Sequence, residues 1–158
     1  MNMELLLVIG LSVAALSIGL VAGIVFAFSA FIMRAFDRLP VQVAVASMNS
    51  INLVILKSAF MPLFLGSIVL ALLLMLISSV HPNAHWIYWA GGFYLLGGIA
   101  CTGLFNVPLN QQLQGANSES EERLWKRYMR YWTRWNHVRV GSCVISSGLF
   151  IVALLKLH

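Results

Sequence analysis

No ionisable residue occurs between Leu5 and Met33. A bilayer core of about 30 Å is crossed by roughly 20 apolar residues of helix, so this run is long enough to span. Three further runs qualify, at about 59–79, 86–105 and 138–157. With the first span at about 5–33, they predict an all-α, membrane-embedded four-helix bundle forming one domain over residues 1–158. Composition agrees. The chain is 60% hydrophobic and 9% charged, whereas soluble domains carry about 25% charged residues. So short a chain has a high surface-to-volume ratio and could not cover itself with polar surface in water. No polar stretch is long enough for a separate soluble catalytic domain. The residues before Leu5 lack the basic flank of a secretory signal, and the run is too long for a signal core, so it reads as a retained span.

The ten Lys and Arg residues set the expected orientation. Arg34, Arg38 and Lys57 flank the first connection. Arg123, Lys126, Arg127, Arg130, Arg134 and Arg139 lie in or beside the third. The loop Val80–His85 has no Lys or Arg, and the C-terminal end has only Lys156. Nine basic residues therefore fall on one side and one on the other. Both termini are expected outside, with the long connections in the cytoplasm. The chain reads as a multi-pass protein of a bacterial inner membrane.

The long connections carry structure of their own. Pro40 suits a first helical position, and Val41–Leu56 has no breaker before Pro62. Span two is expected to start as a helix there and bend at Pro62. Ser118 and Glu121 have capping-box spacing. Beyond them Leu124, Tyr128, Tyr131, Trp132, Trp135 and Val138 recur at helical spacing, with the cations on the other face. That pattern predicts an amphipathic interfacial helix leading into span four. Gly19, Gly23 and Ala27 lie four apart, as do Gly97 with Cys101 and Gly98 with Thr102. Small residues at this spacing let helices approach closely. The first-span glycines could equally serve a homo-oligomer.

Scarcity of polar residues in the spans excludes several chemistries. No span holds an Asp or Glu, which argues against proton-coupled transport. Cys101 and Cys143 form no Cys-x-x-Cys pair and read as small buried hydrophobes. His81 and His85 are four apart, but Pro82 lies between them, so no metal site is expected. His158 is terminal. Two buried histidines for a haem are lacking, and no phosphate-cradling glycine pattern occurs. The basic helix has an aromatic face suited to lipid, so nucleic acid is not an expected partner. The expected partners are the bilayer and a lipophilic small molecule.

The polar residues that remain cluster at one depth. Asn49 and Asn52 precede span two. Asn106 and Asn110 bracket N-V-P-L-N. Trp132, Trp135, Asn136, His137 and Arg139 lie in W-T-R-W-N-H-V-R. Asparagines near helix ends also cap or glue helices, and Arg139 could snorkel to headgroups. As a set, the amides, imidazole and guanidinium predict a pocket walled by Trp132 and Trp135.

These two motifs resemble the integral-membrane anthrone oxygenase family, as do Gly19–Phe28 and the Met48 and Asn52 pair. The resemblance implies a four-helix membrane protein. Most members of that family have no assigned function. Its characterised fungal members oxidise polyketide anthrones to anthraquinones with molecular oxygen, with no obvious metal or flavin. Such chemistry needs a base, an oxyanion stabiliser and an apolar slot. On that basis His137 is the expected base, and Arg139 with Asn106 or Asn110 stabilises the oxyanion. Trp132 and Trp135 wall the slot, with Asn136, Asn49 and Asn52 as further binding residues. No cofactor and no metal ligand are expected. A non-enzymatic protein binding a lipid or a protein partner is the alternative reading.

Overall fold

The computed structural model describes residues 3–79 and 81–157. His158, noted above, lies outside them. Among the described residues all regular structure is helical. We number the helices α1 Met3–Phe36, α2 Val41–Ile55, α3 Phe60–Ile77, α4 Ala84–Gln114 and α5 Glu121–Leu155. All but α2 are long and apolar enough to cross a membrane. The protein is therefore a multi-pass membrane helix bundle. At 1.5 Å per residue, α5 extends about 50 Å and overshoots any hydrocarbon core. Its first turns carry the run of cations, so the expected amphipathic helix and span four are one continuous rod.

Two sequence expectations about local structure are corrected. The chain does not bend at Pro62. It breaks at residues 56–59, where the Ser58 hydroxyl donates to Ile55 O at 2.8 Å and accepts Phe60 N–H at 3.2 Å. Pro62 sits harmlessly in the first turn of α3, where its missing N–H would have no helical partner. The start of α5 does not use Ser118 and Glu121 as a capping box either. Asn117 Oδ1 accepts the Ser120 N–H at 3.0 Å, and Ser120 Oγ accepts the Asn117 N–H at 3.0 Å.

Two apolar clusters hold the bundle. The larger joins α1, α3, α4 and α5 through Leu11, Ile18, Leu74, Ile87, Tyr94 and Phe150. The smaller lies at the basic end, where Met33, Met48, Leu113, Trp125, Tyr128 and Trp132 bring α2 against α1, α4 and α5. In lipid, burying apolar surface gives helices little reason to associate, so close packing and interhelical hydrogen bonds carry more weight. Ser146 Oγ donates to Ala90 O at 2.7 Å, and Ser147 Oγ to Ala15 O at 2.8 Å. Tyr94 and Ser67, both buried, share a hydroxyl–hydroxyl bond at 2.5 Å.

The helices are not regular throughout. α1 contains a π turn at Phe28–Ile32, and α4 contains two, Tyr94–Ala100 and Thr102–Asn106. The last of these ends two residues before Pro108. Proline lacks an N–H and presses on the preceding turn, so the ladder is already broken where the wide turn sits.

Of the small-residue positions, Gly97 makes the tightest approach. A Cβ there would overlap the Ser142 side chain of α5. Gly23, in contrast, is exposed and has open space beside it. Gly97→Ala should therefore lower the melting temperature in detergent, at a cost of about 1–3 kcal/mol. Gly92→Ala, with nothing within 4 Å, should leave it unchanged or raise it slightly. Equal melting of the two variants would contradict the close crossing.

Candidate functional site

The α2–α3 break leaves space between the two helical clusters. A cavity of about 360 Å³ lies there. Its walls are apolar, with Ile24, Val25 and Phe28 from α1, Met48 from α2 and Phe60 and Phe64 from α3. Its polar lining comes mainly from α2, α4 and α5: Asn49, Asn52, Asn106, Asn110, Asn136 and Arg139. Trp132 closes one side, with its ring edge-on to Phe28 at 5.8 Å.

Arg139 is the charged group of this lining. It is 8% exposed and sits about 10 Å further along α5 than Trp132, away from the basic end. It does not snorkel outward. Nη1 donates to Asn136 Oδ1 at 3.3 Å. The titratable side chains that act on the guanidinium are Cys143, Cys101, Tyr128 and Tyr94, thiols and phenols only. Among the described residues no carboxylate pairs with it. A buried charge normally needs a partner and hydrogen bonds, because desolvation costs several kcal/mol. A guanidinium cannot escape by losing its proton. Arg139 itself is part of the cavity lining.

Asn136 explains how Arg139 is held. Asn136 is completely buried. Its Nδ2 donates to Val25 O at 2.7 Å and to Ser29 Oγ at 2.8 Å, so its Oδ1 is left facing Arg139. Val25 and Ser29 flank the start of the π turn of α1, where the regular backbone ladder is loosened. The turn itself supplies the Ser29 hydroxyl, and the α-helical turn just before it supplies the Val25 carbonyl.

The other asparagines divide by role. Asn106 Nδ2 donates to Trp132 O at 3.3 Å and is 1% exposed. It ties α4 to α5, as an asparagine used for helix glue does. Asn110 Oδ1 accepts the Tyr128 hydroxyl at 2.7 Å. Asn49 Nδ2 donates to Leu113 O at 3.4 Å. Tyr128 lies between Trp125 and Trp132 in a stack, with centroids 5.9 and 5.4 Å apart.

Seven of the nine residues singled out from sequence line this cavity. His137 and Trp135 do not. His137 is exposed on the outward face of α5. It follows Asn136, and adjacent residues on a helix point about 100° apart, so burying one turns the other away. Trp135 stacks on Phe105 at 3.7 Å, on the flank of the bundle. It shields α4 rather than walling the cavity. The phenylalanine walls and the exposed Gln111 and Gln114 were not visible as site residues in sequence. The spacing of Phe60 and Phe64, which stack at 5.4 Å, was the available signal.

The chain matches the anthrone oxygenase family model over residues 51–149. It belongs to that family. The match takes in the end of α2, all of α3 and α4 and most of α5, and so includes Asn52, Asn106, Asn110, Asn136 and Arg139. Gly19–Phe28 and Met48, which carried part of the resemblance, fall outside the matched segment. No curated protein and no solved structure matches the chain.

Asn136 is expected to matter for stability as well as for the site. Asn136→Leu leaves a buried charge without its hydrogen-bond partner. It should cost about 1–3 kcal/mol or more in thermal unfolding, with a smaller loss for Asn110→Leu nearer the mouth. A larger effect at Asn110 would contradict the clamp assigned to Asn136.

Proposed function

We propose that this anthrone oxygenase family member oxidises a lipophilic phenol, anthrone or quinol with molecular oxygen, with the Arg139 cavity as its active site. The observation that carries the reading is the unpaired guanidinium bordering an apolar cavity. It complements an organic oxyanion, which would supply negative charge to the guanidinium while its rings fill the apolar walls.

The chemistry follows from that placement. An anthrone has an acidic methylene between two aromatic rings, opposite its carbonyl. Loss of one proton gives an anion with its charge largely on oxygen. A fixed cation in a water-poor site stabilises that anion far more than water does. The anion passes an electron to oxygen, and recombination forms a carbon–oxygen bond at the former methylene. The peroxide anion takes up a proton. The resulting hydroperoxide then loses water, leaving the second carbonyl of the quinone. One oxygen molecule is consumed and one water is released per substrate.

The role for His137 is revised with its position. None of the residues lining the cavity is a carboxylate or a histidine. In this reading Arg139 lowers the acidity barrier of the bound ligand, and the proton leaves to water at the mouth by Gln111 and Gln114. Asn136 acts as a positioning residue, because it holds Arg139.

Oxygen uptake by purified protein with a model anthrone tests this directly. Arg139→Gln should reduce the rate about 10²–10³-fold, the loss typical of removing an oxyanion donor. His137→Ala should keep the parent rate. An active Arg139→Gln variant would overturn the assignment of the site. An inactive but folded His137→Ala variant would return the base role to His137.

A further inference from the structure

Leu53, Leu56 and Val107 line the cavity yet are 54%, 62% and 39% exposed. They belong at once to the cavity wall and to the exposed apolar surface of the bundle. Leu53 and Leu56 sit at the end of α2 and the break after it, and Val107 sits beside the Pro108 turn of α4. The cavity therefore opens sideways, between that break and α4. Gln111 and Gln114, both exposed, line the same cavity, and exposed Lys57 follows Leu56 in the break. Apolar and polar residues share one rim, as at the boundary between acyl chains and headgroups.

Size adds a second constraint. A volume of about 360 Å³ is near the lower end for small-molecule sites, which run from about 300 to 1,000 Å³. It holds a ring system but not a long chain as well. A ligand that is both membrane-soluble and long must leave part of itself outside.

We propose that the cavity takes an amphiphilic phenol or quinol whose ring enters towards Arg139 while its hydrocarbon tail stays in the bilayer, passing between Leu53, Leu56 and Val107. The proposal rests on the oxyanion reading above for the direction of the ring. The lateral mouth rests on the exposed rim alone. The ligand would partition into the leaflet first, with its hydroxyl at headgroup depth, and slide into the cavity without crossing bulk water.

The test uses the full chain in phosphatidylcholine–phosphatidylglycerol vesicles and two photoreactive long-chain alkylphenols. One carries a diazirine at the end of the tail, the other on the ring. Crosslinked peptides are mapped by mass spectrometry, with and without excess unlabelled alkylphenol. The tail probe should give competed labelling at residues 53–56 and around Val107, and the ring probe at Phe28 and Trp132. Competed tail labelling at Val25 and Phe64 inside the cavity would overturn the proposal, as would a lack of competed labelling by either probe. Arg139→Gln separates the two readings. If both hold, all competed labelling falls roughly tenfold or more, as expected for losing a charge-assisted hydrogen bond. If rim labelling by the tail persists in Arg139→Gln, the lateral mouth stands and the oxyanion reading fails.

Discussion

A guanidinium fixed inside a membrane bundle is the constraint around which this protein is organised. Arg139 cannot lose its proton, and no carboxylate among the described residues neutralises it. Its charge is instead solvated by one amide, Asn136, which is itself anchored to Val25 and Ser29 of α1. That anchoring uses the π turn at Phe28–Ile32. The irregular helix, the buried asparagine and the cation form one dependent series. An apolar cavity beside an incompletely solvated cation is an arrangement that stability alone does not favour. Natural proteins depart from the most stable packing mainly at functional sites.

The rest of the bundle serves to keep that arrangement rigid. Ser146, Ser147 and the Tyr94–Ser67 pair hold α5, α1, α3 and α4 together below the cavity. At the basic end, Asn106 fixes α4 to Trp132 O, and the stack of Trp125, Tyr128 and Trp132 fills the space under α2. Trp125 Nε1 donates to Asp37 at 3.1 Å, tying the first long connection to the third. The cavity survives between these two packed regions because α2 and α3 part at residues 56–59 instead of continuing as one helix.

Much of this was legible in the chain. Spans are set by hydrocarbon thickness, so apolar runs located four of the five helices, the first two to within a few residues at both ends. The third helix runs nine residues past its expected end, to Gln114, and the fourth span begins far earlier than expected, because the amphipathic pattern and the apolar run of α5 looked like two elements and form one. The shared depth of the asparagines followed from their positions near span ends, and seven of nine chosen residues came together. The two that did not are His137 and Trp135. His137 and Asn136 are neighbours in sequence, and Trp132, Asn136 and Arg139 are spaced i, i+4 and i+7, so helical spacing already put Asn136 on their face and His137 off it. The π turns were illegible because they depend on tertiary partners such as Asn136. The α2–α3 break was hidden because Lys57 and Ser58 are weak helix breakers compared with Pro62.

The central claim is that the cavity stabilises a ligand oxyanion through Arg139. The most direct measurement is the acidity of a chromogenic phenol bound to the protein in vesicles, followed by its phenolate absorbance as pH is varied. A cation beside the hydroxyl favours the charged form and lowers the pKa, whereas apolar burial without one raises it. The account predicts a bound phenol more acidic than the same phenol in vesicles lacking the protein, with that difference removed in Arg139→Gln. A bound phenol less acidic than the free one, or a lowered pKa that persists in Arg139→Gln, would contradict it.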